Sequence, residues 1–145
     1  FSSTDNELFI TGLQMEIGEQ ATAFEHRSFG DELAACQRYY QKSYIDGVAV
    51  GTVTQVGCNM DPVPTSGNTW RYTHNFTSHM RATPTYTFYV PDTGTSGFGG
   101  FEGAGDTNKE AILVAFSSNK SGVYYSTSMD QTGFFMWHYE LNAEL

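Results

Sequence analysis

Four histidines, two cysteines and sixteen acids are the side chains that could carry chemistry in this chain of 145 residues. A metal centre needs several of them in one shell, but His26, His74, His79 and His138 show no ligand spacing. His74 and His79 fall on opposite faces of an alternating stretch, where they read as polar sheet-surface residues. No metal or other cofactor is expected. Glycoside cleavage needs two carboxylates facing one another across a sugar. Asp46, Asp61, Asp92, Asp106 and Asp130 are scattered through turn-like segments, and the sequence singles out no pair. Ser66-Gly67 and Ser121-Gly122 lack the strand–turn–helix setting of a nucleophile elbow. No catalytic set is expected; were sugar cleavage found, Asp92, Glu102 and Asp106 would be the acids to test first. Cys36 and Cys58 could pair, although Cys36, at a helix end, reads better as a small buried hydrophobe.

Aromatic side chains could instead stack on sugar rings. Trp70, Tyr72, Phe134, Phe135, Trp137 and Tyr139 lie mostly at alternating strand positions, which assigns them to a core. Phe98 and Phe101 sit in a Gly-rich segment. They are expected to cover the end of a sheet or meet a neighbouring subunit, and they are also the best candidates for a stacking face. With Asp92, Asp106 and Asn119 they form the candidate ligand-binding set, carried by loops at 59–69, 91–108 and 118–121. Arg27, Arg38 and Arg81 are expected to make structural carboxylate or carbonyl contacts first, and interface contacts second.

The elements that must position these residues are mostly strands. Ser28 can cap a short helix near 29–36, with Asp31 and Glu32 in its first turn. Strands are expected over 37–45 and 48–56, separated by Asp46-Gly47, followed by a loop at 61–68. The clearest alternation places Trp70, Tyr72, His74, Phe76, Ser78 and Met80 on one face, and Pro84 ends that strand. Further strands are expected over 85–90, 110–117, 122–128 and 133–141, with a long loop at 91–108. Residues 119–122 and 129–133 read as hairpin turns. The fold class is all-β: an antiparallel β-sandwich or jelly-roll-like domain with one short helix.

Nine Tyr, eleven Phe, fifteen Gly and only 16% charged residues suit such a fold. The length suits one domain with a real core. A net charge of −9 repels phosphate backbones, so nucleic acid is not an expected partner. No apolar run is long enough to span a membrane as a helix, and no membrane insertion is expected.

Three segments carry a family resemblance. They are Gln14-Met15-Glu16-Ile17-Gly18 continuing through Phe24-Glu25-His26-Arg27-Ser28-Phe29-Gly30 to Cys36-Gln37-Arg38-Tyr39-Tyr40; Met80-Arg81-Ala82-Thr83-Pro84-Thr85; and Asn142-Ala143-Glu144-Leu145. Together they resemble a junction found in C-terminal domains of tailed-bacteriophage tail fibres and other virion structural proteins. Met15 and Ala23 stand where Leu and Pro are expected. The resemblance implies a non-catalytic structural domain on the surface of a phage particle, in the tail or a capsid appendage. It implies viral attachment to the host by receptor binding, to a host-surface glycan or protein, beside other virion proteins and as a homotrimer. Residues 1–25 are then the end of a preceding domain or a linker strand, and 26–145 the C-terminal β-sandwich domain. The rival expectations are a capsid-decorating head protein, a secreted carbohydrate-binding module and a polysaccharide-cleaving enzyme.

Overall fold

The computed structural model describes residues 10–20, 22–63, 69–102, 109–127, 129 and 131–144. One helix and nine strands are described: α1 (Phe29–Gln37), β1 (Tyr40–Lys42), β2 (Asn59–Val63), β3 (Trp70–Asn75), β4 (Thr85–Tyr89), β5 (Phe98–Phe101), β6 (Lys109–Ala111), β7 (Leu113–Ser117), β8 (Ser121–Ser126) and β9 (Gly133–Asn142). They form two antiparallel sheets in an all-β sandwich, as the sequence leads one to expect. The larger sheet is built around β9, which pairs with β1, β2, β4 and β5, and β6 pairs with β5. The smaller has the order β3-β8-β7.

β9 is the axis because its first half is apolar on both faces. Phe134-Phe135-Met136-Trp137 is a continuous apolar run, the pattern of a strand covered from both sides. Phe135, Trp137, Tyr139 and Leu141 point into the space between the sheets, where Trp70 and Tyr124 of the small sheet meet them. Trp70 packs edge-on against Trp137 with ring centroids 4.8 Å apart, and Phe88 against Tyr124 at 4.9 Å. Such edge-to-face pairs suit the ring quadrupoles. The Trp70 indole N–H donates to Asp61 Oδ2 at 2.6 Å, tying β3 to β2.

Both edges of β9 carry a strand that leaves and returns. Tyr40–Lys42 pair with Asn142–Glu140, and the same edge resumes with Asn59 opposite Trp137. On the other edge Thr85–Tyr89 pair with Asn142–His138, and pairing resumes with Gly100 opposite Met136. The intervening residues, 43–58 and 90–97, are excursions. β5 reads Phe-Gly-Gly-Phe because side chains would not fit: a Cβ at Gly99 would lie 2.5 Å from the Phe135 ring and 2.9 Å from the Met136 carbonyl.

Several expected elements differ. The alternation at 48–56 is not a strand. Gly47, Gly51 and Gly57 have φ of 82°, 77° and 83°, and turns close from Ile45 to Val48, Ala49 to Thr52 and Gln55 to Cys58. These left-handed glycines override the β-branched pattern. The expected loop at 61–68 begins inside β2, where edge position tolerates Pro62, and residues 64–68 lie outside the described set. The loop at 91–108 contains β5. The strand at 110–117 is two, broken at buried Ile112, where the chain passes from the large sheet to the small. The turn at 118–121 is a hairpin, but 129–133 joins strands of different sheets. The strand expected over 37–45 shortens to β1, because α1 extends to Gln37.

α1 starts where expected, with Ser28 Oγ accepting from Asp31 N at 3.2 Å. It buries no residue of its own. The chain enters the sandwich beyond it through Gln41, which is 5% exposed. Gln41 Nε2 donates to the carbonyls of Gln37 (3.0 Å) and Ser78 (2.9 Å), and its Oε1 accepts from Thr77 N (3.2 Å). Around it, Arg81 N donates to Arg38 O (2.7 Å), Ala143 N to Tyr39 O (2.7 Å), and the Arg81 guanidinium lies over the Tyr39 ring at 5.5 Å. Three segments distant in sequence are thus tied at one base. Replacing Gln41 with Leu keeps the volume and strands these partners, so Gln41→Leu is expected to cost about 2–3 kcal/mol in urea unfolding with an unchanged m-value.

Candidate functional site

The outer face of β9 is where the two excursions converge. Even-numbered side chains of β9 point there, and Met136 and His138 are buried beneath the excursions. His138 Nε2 donates to Thr54 O at 2.9 Å, which leaves Nδ1 as the acceptor of the Ser43 hydroxyl at 2.8 Å. Ser43 Oγ in turn accepts from Tyr139 N at 3.0 Å. The Tyr44 ring stacks on the imidazole at 3.8 Å. Above this, Thr54 N donates to Pro91 O (2.9 Å) and Gln55 Nε2 to Asp92 Oδ1 (2.8 Å), joining one excursion to the other. Gly94, at φ 73°, sits against the Gly51 carbonyl so closely that any side chain would collide with it.

A serine hydroxyl on a histidine is the first half of a nucleophilic pair. Here the imidazole is 0% exposed and capped by Tyr44, and its second nitrogen is held by a carbonyl. No substrate can reach it without unfolding the cap, and its work in this structure is to staple the 43–58 excursion to the sheet.

Beside the staple the outer face is open. Thr85 and Thr87 of β4 and Glu140, Asn142 and Glu144 line a groove of about 390 Å³. Glu140 is fixed in place: Tyr89 Oη donates to its Oε2 at 3.0 Å, and Tyr40 lies against it from the other edge. Burial first, and then the Glu140 charge and hydrogen bond, push both phenols up to about 12. Both therefore stay protonated donors at neutral pH. Two hydroxyls, an amide and two carboxylates in an open groove match the alternating donors and acceptors of a polyhydroxylated ligand.

The candidates read from sequence lie apart from one another. Asp92 belongs to the tie between excursions. Phe98, in β5, has the Lys109 ammonium over its ring at 5.1 Å. Phe101 is 2% exposed and packs on Phe135, so it offers no stacking face; a loop residue by sequence is a core residue by pairing. Asn119 is exposed at the β7–β8 turn, where its carbonyl accepts from Met80 N at 2.8 Å. Asp106 and the rest of 103–108 lie outside the described residues. Among the described residues no group of three or more His, Cys, Asp or Glu could hold a metal. Both cysteines are free; Cys36 is exposed rather than buried because α1 buries nothing, and burial and then Asp92 push the Cys58 thiol up. Arg27 makes the expected carboxylate contacts, to Glu25 at 2.7 Å and Glu32 at 3.5 Å.

The sequence reading missed Ser43–His138 and the Glu140 groove. One signal was present: His138 follows Trp137 in β9, so the two must face opposite sides, and the apolar run 134–137 needs cover on both. Comparison of the chain with protein-family models, curated proteins and solved structures returned no match.

Two histidines, His138 buried and His74 half-buried, set a pH limit. His74, between Tyr124 Oη at 2.7 Å and the core, is lowered by burial to about 4. Burial lowers His138 as well, against the raising effect of its Thr54 hydrogen bond. Depressed histidines take up protons in the unfolded chain first, so stability is full above pH 6.5 and falls as pH drops toward 4. Each contributes a slope of at most ~1.4 kcal/mol per pH unit. Denaturant unfolding between pH 7 and 5 is expected to show this loss, and His74→Phe is expected to flatten it.

Proposed function

We propose that this chain is a non-catalytic attachment domain of a tailed-phage fibre or related virion structural protein, binding a host-surface glycan in the outer groove of β9. The observation that carries the binding reading is Glu140, a carboxylate held from both edges of β9 by Tyr40 and Tyr89 in an open row with Thr85, Thr87 and Asn142. Preorganised acceptors cost little to order when a sugar arrives. The virion reading is supported by the segments that resemble phage junctions. Their residues Arg38, Tyr39, Arg81 and Ala143 meet in one knot where the chain enters the sandwich, so a preceding stalk would pull on the best-tied point. The groove lies on β9 and β4, on the outer face of the large sheet and beside that knot. Several copies on one particle would gain by avidity what each weak sugar site lacks.

Glu140→Gln and Asn142→Ala are expected to weaken binding to host-cell glycan at least about tenfold, a few lost hydrogen bonds, with the circular dichroism spectrum unchanged. Calorimetric or array binding to purified host polysaccharide measures this. If the folded wild-type chain binds no host glycan and instead binds capsids, the head-decoration alternative replaces it. Release of reducing sugar would overturn the non-catalytic claim.

A further inference from the structure

Residues 10–36 form an arm whose described residues are all exposed. Its polar and apolar side chains are already sorted. Gln14 and Glu16 turn inward to the returning limb: Glu25 N donates to Gln14 Oε1 at 2.8 Å, Thr22 Oγ1 donates to Glu16 Oε2 at 2.6 Å, and Thr22 N donates to Glu16 Oε1. Leu13, Met15 and Ile17, the alternate residues, are left 86%, 98% and 108% exposed. A row of fully exposed aliphatic side chains on a limb braced from behind is a docking edge.

The body carries a matching surface. On the small sheet, Leu113, Phe116, Val123 and Tyr125 share the face turned away from the core, with Leu113 opposite Tyr125 and Phe116 opposite Val123. Leu113 is 49% and Phe116 71% exposed. Arg71, Val114, Phe116, Val123 and Tyr125 enclose a hollow of about 390 Å³ there. In a chain of net charge −9, the strands β3, β7 and β8 hold no acid, and the charge at the hollow is that of Arg71. The arm brings the exposed Glu19 just past its apolar row. Apolar row meets apolar row, and acid meets arginine.

We infer that the arm of one copy docks on the outer face of the β3-β8-β7 sheet of a second copy, with Leu13, Met15 and Ile17 over Phe116, Val123 and Tyr125. This deepens the proposed multi-copy assembly and rests on it, but uses no groove residue. An arm-to-face contact closes by reciprocal exchange between two copies or by passing from copy to copy around a ring.

The test uses the whole chain. Sedimentation of wild type, Ile17→Glu and Phe116→Glu is expected to show an oligomer for the first and monomers for both variants. Both positions are solvent-exposed, and circular dichroism verifies that the variants stay folded. Chains carrying Ile17→Cys and chains carrying Phe116→Cys, both with Cys36→Ser and Cys58→Ser, are then mixed and oxidised. Mass spectrometry is expected to find the bridge between positions 17 and 116 of different chains. A wild-type oligomer that survives both Glu substitutions and forms no such bridge overturns the arm-to-face contact while leaving assembly standing. A wild-type monomer at every concentration overturns both. A single chain carrying both Cys substitutions that bridges only within itself assigns the arm to its own body and also overturns the inference.

Discussion

Everything in this molecule depends on covering β9 from two sides. A ten-residue strand paired along most of both edges leaves few backbone polar groups for solvent, and its side chains must then find two covers. The small sheet provides one, through Trp70 and Tyr124. Neither edge strand of β9 could provide the other while running straight. Each breaks off, crosses the outer face and returns; His138 holds the first crossing to β9, and Thr54 and Gln55 of that crossing hold the second. Burying an imidazole there is tolerable because both nitrogens are satisfied in one neutral tautomer, by Ser43 and Thr54. The same interruption leaves the C-terminal half of that face bare, and the groove at Glu140 is that bare half.

The sandwich is polarised as a result. At one place the chain enters through Gln41 and the ties among Arg38, Tyr39, Arg81 and Ala143. Next to it, where Asn142 and Glu144 flank Ala143, the outer face of the large sheet presents hydroxyl, amide and carboxylate groups, and the outer face of the small sheet presents apolar rows without acids.

Local signals carried much of the fold. Ser28, Asp31 and Glu32 marked the helix start, and the alternation from Trp70 and the apolar run from Phe134 marked β3 and β9. What escaped was non-local. β2 and β5 are short, one contains Pro62 and the other two glycines, and they are strands only because β9 offers its edges. Val48 to Val56 alternates as well as any strand, yet Gly47, Gly51 and Gly57 bend it into turns at positive φ. The site was less legible still. Phe98 and Phe101 stood out as aromatics in a Gly-rich loop, but the pairing of β5 with β9 puts Phe101 in the core. Glu140 looked like any outward residue of a final strand. Its distinction lies in Tyr40 and Tyr89, which reach it from strands on opposite edges of β9, a relation no spacing encodes.

The most direct measurement is a nuclear magnetic resonance titration of the isotope-labelled chain with oligosaccharides from the host surface. The predicted result is shift changes confined to Tyr40, Thr85, Thr87, Tyr89, Glu140 and Asn142, with the amides of Phe135 and Trp137 unmoved. Shift changes that instead centre on Phe98 or Asn119, or no changes at saturating sugar, would contradict the groove on β9 as the binding site.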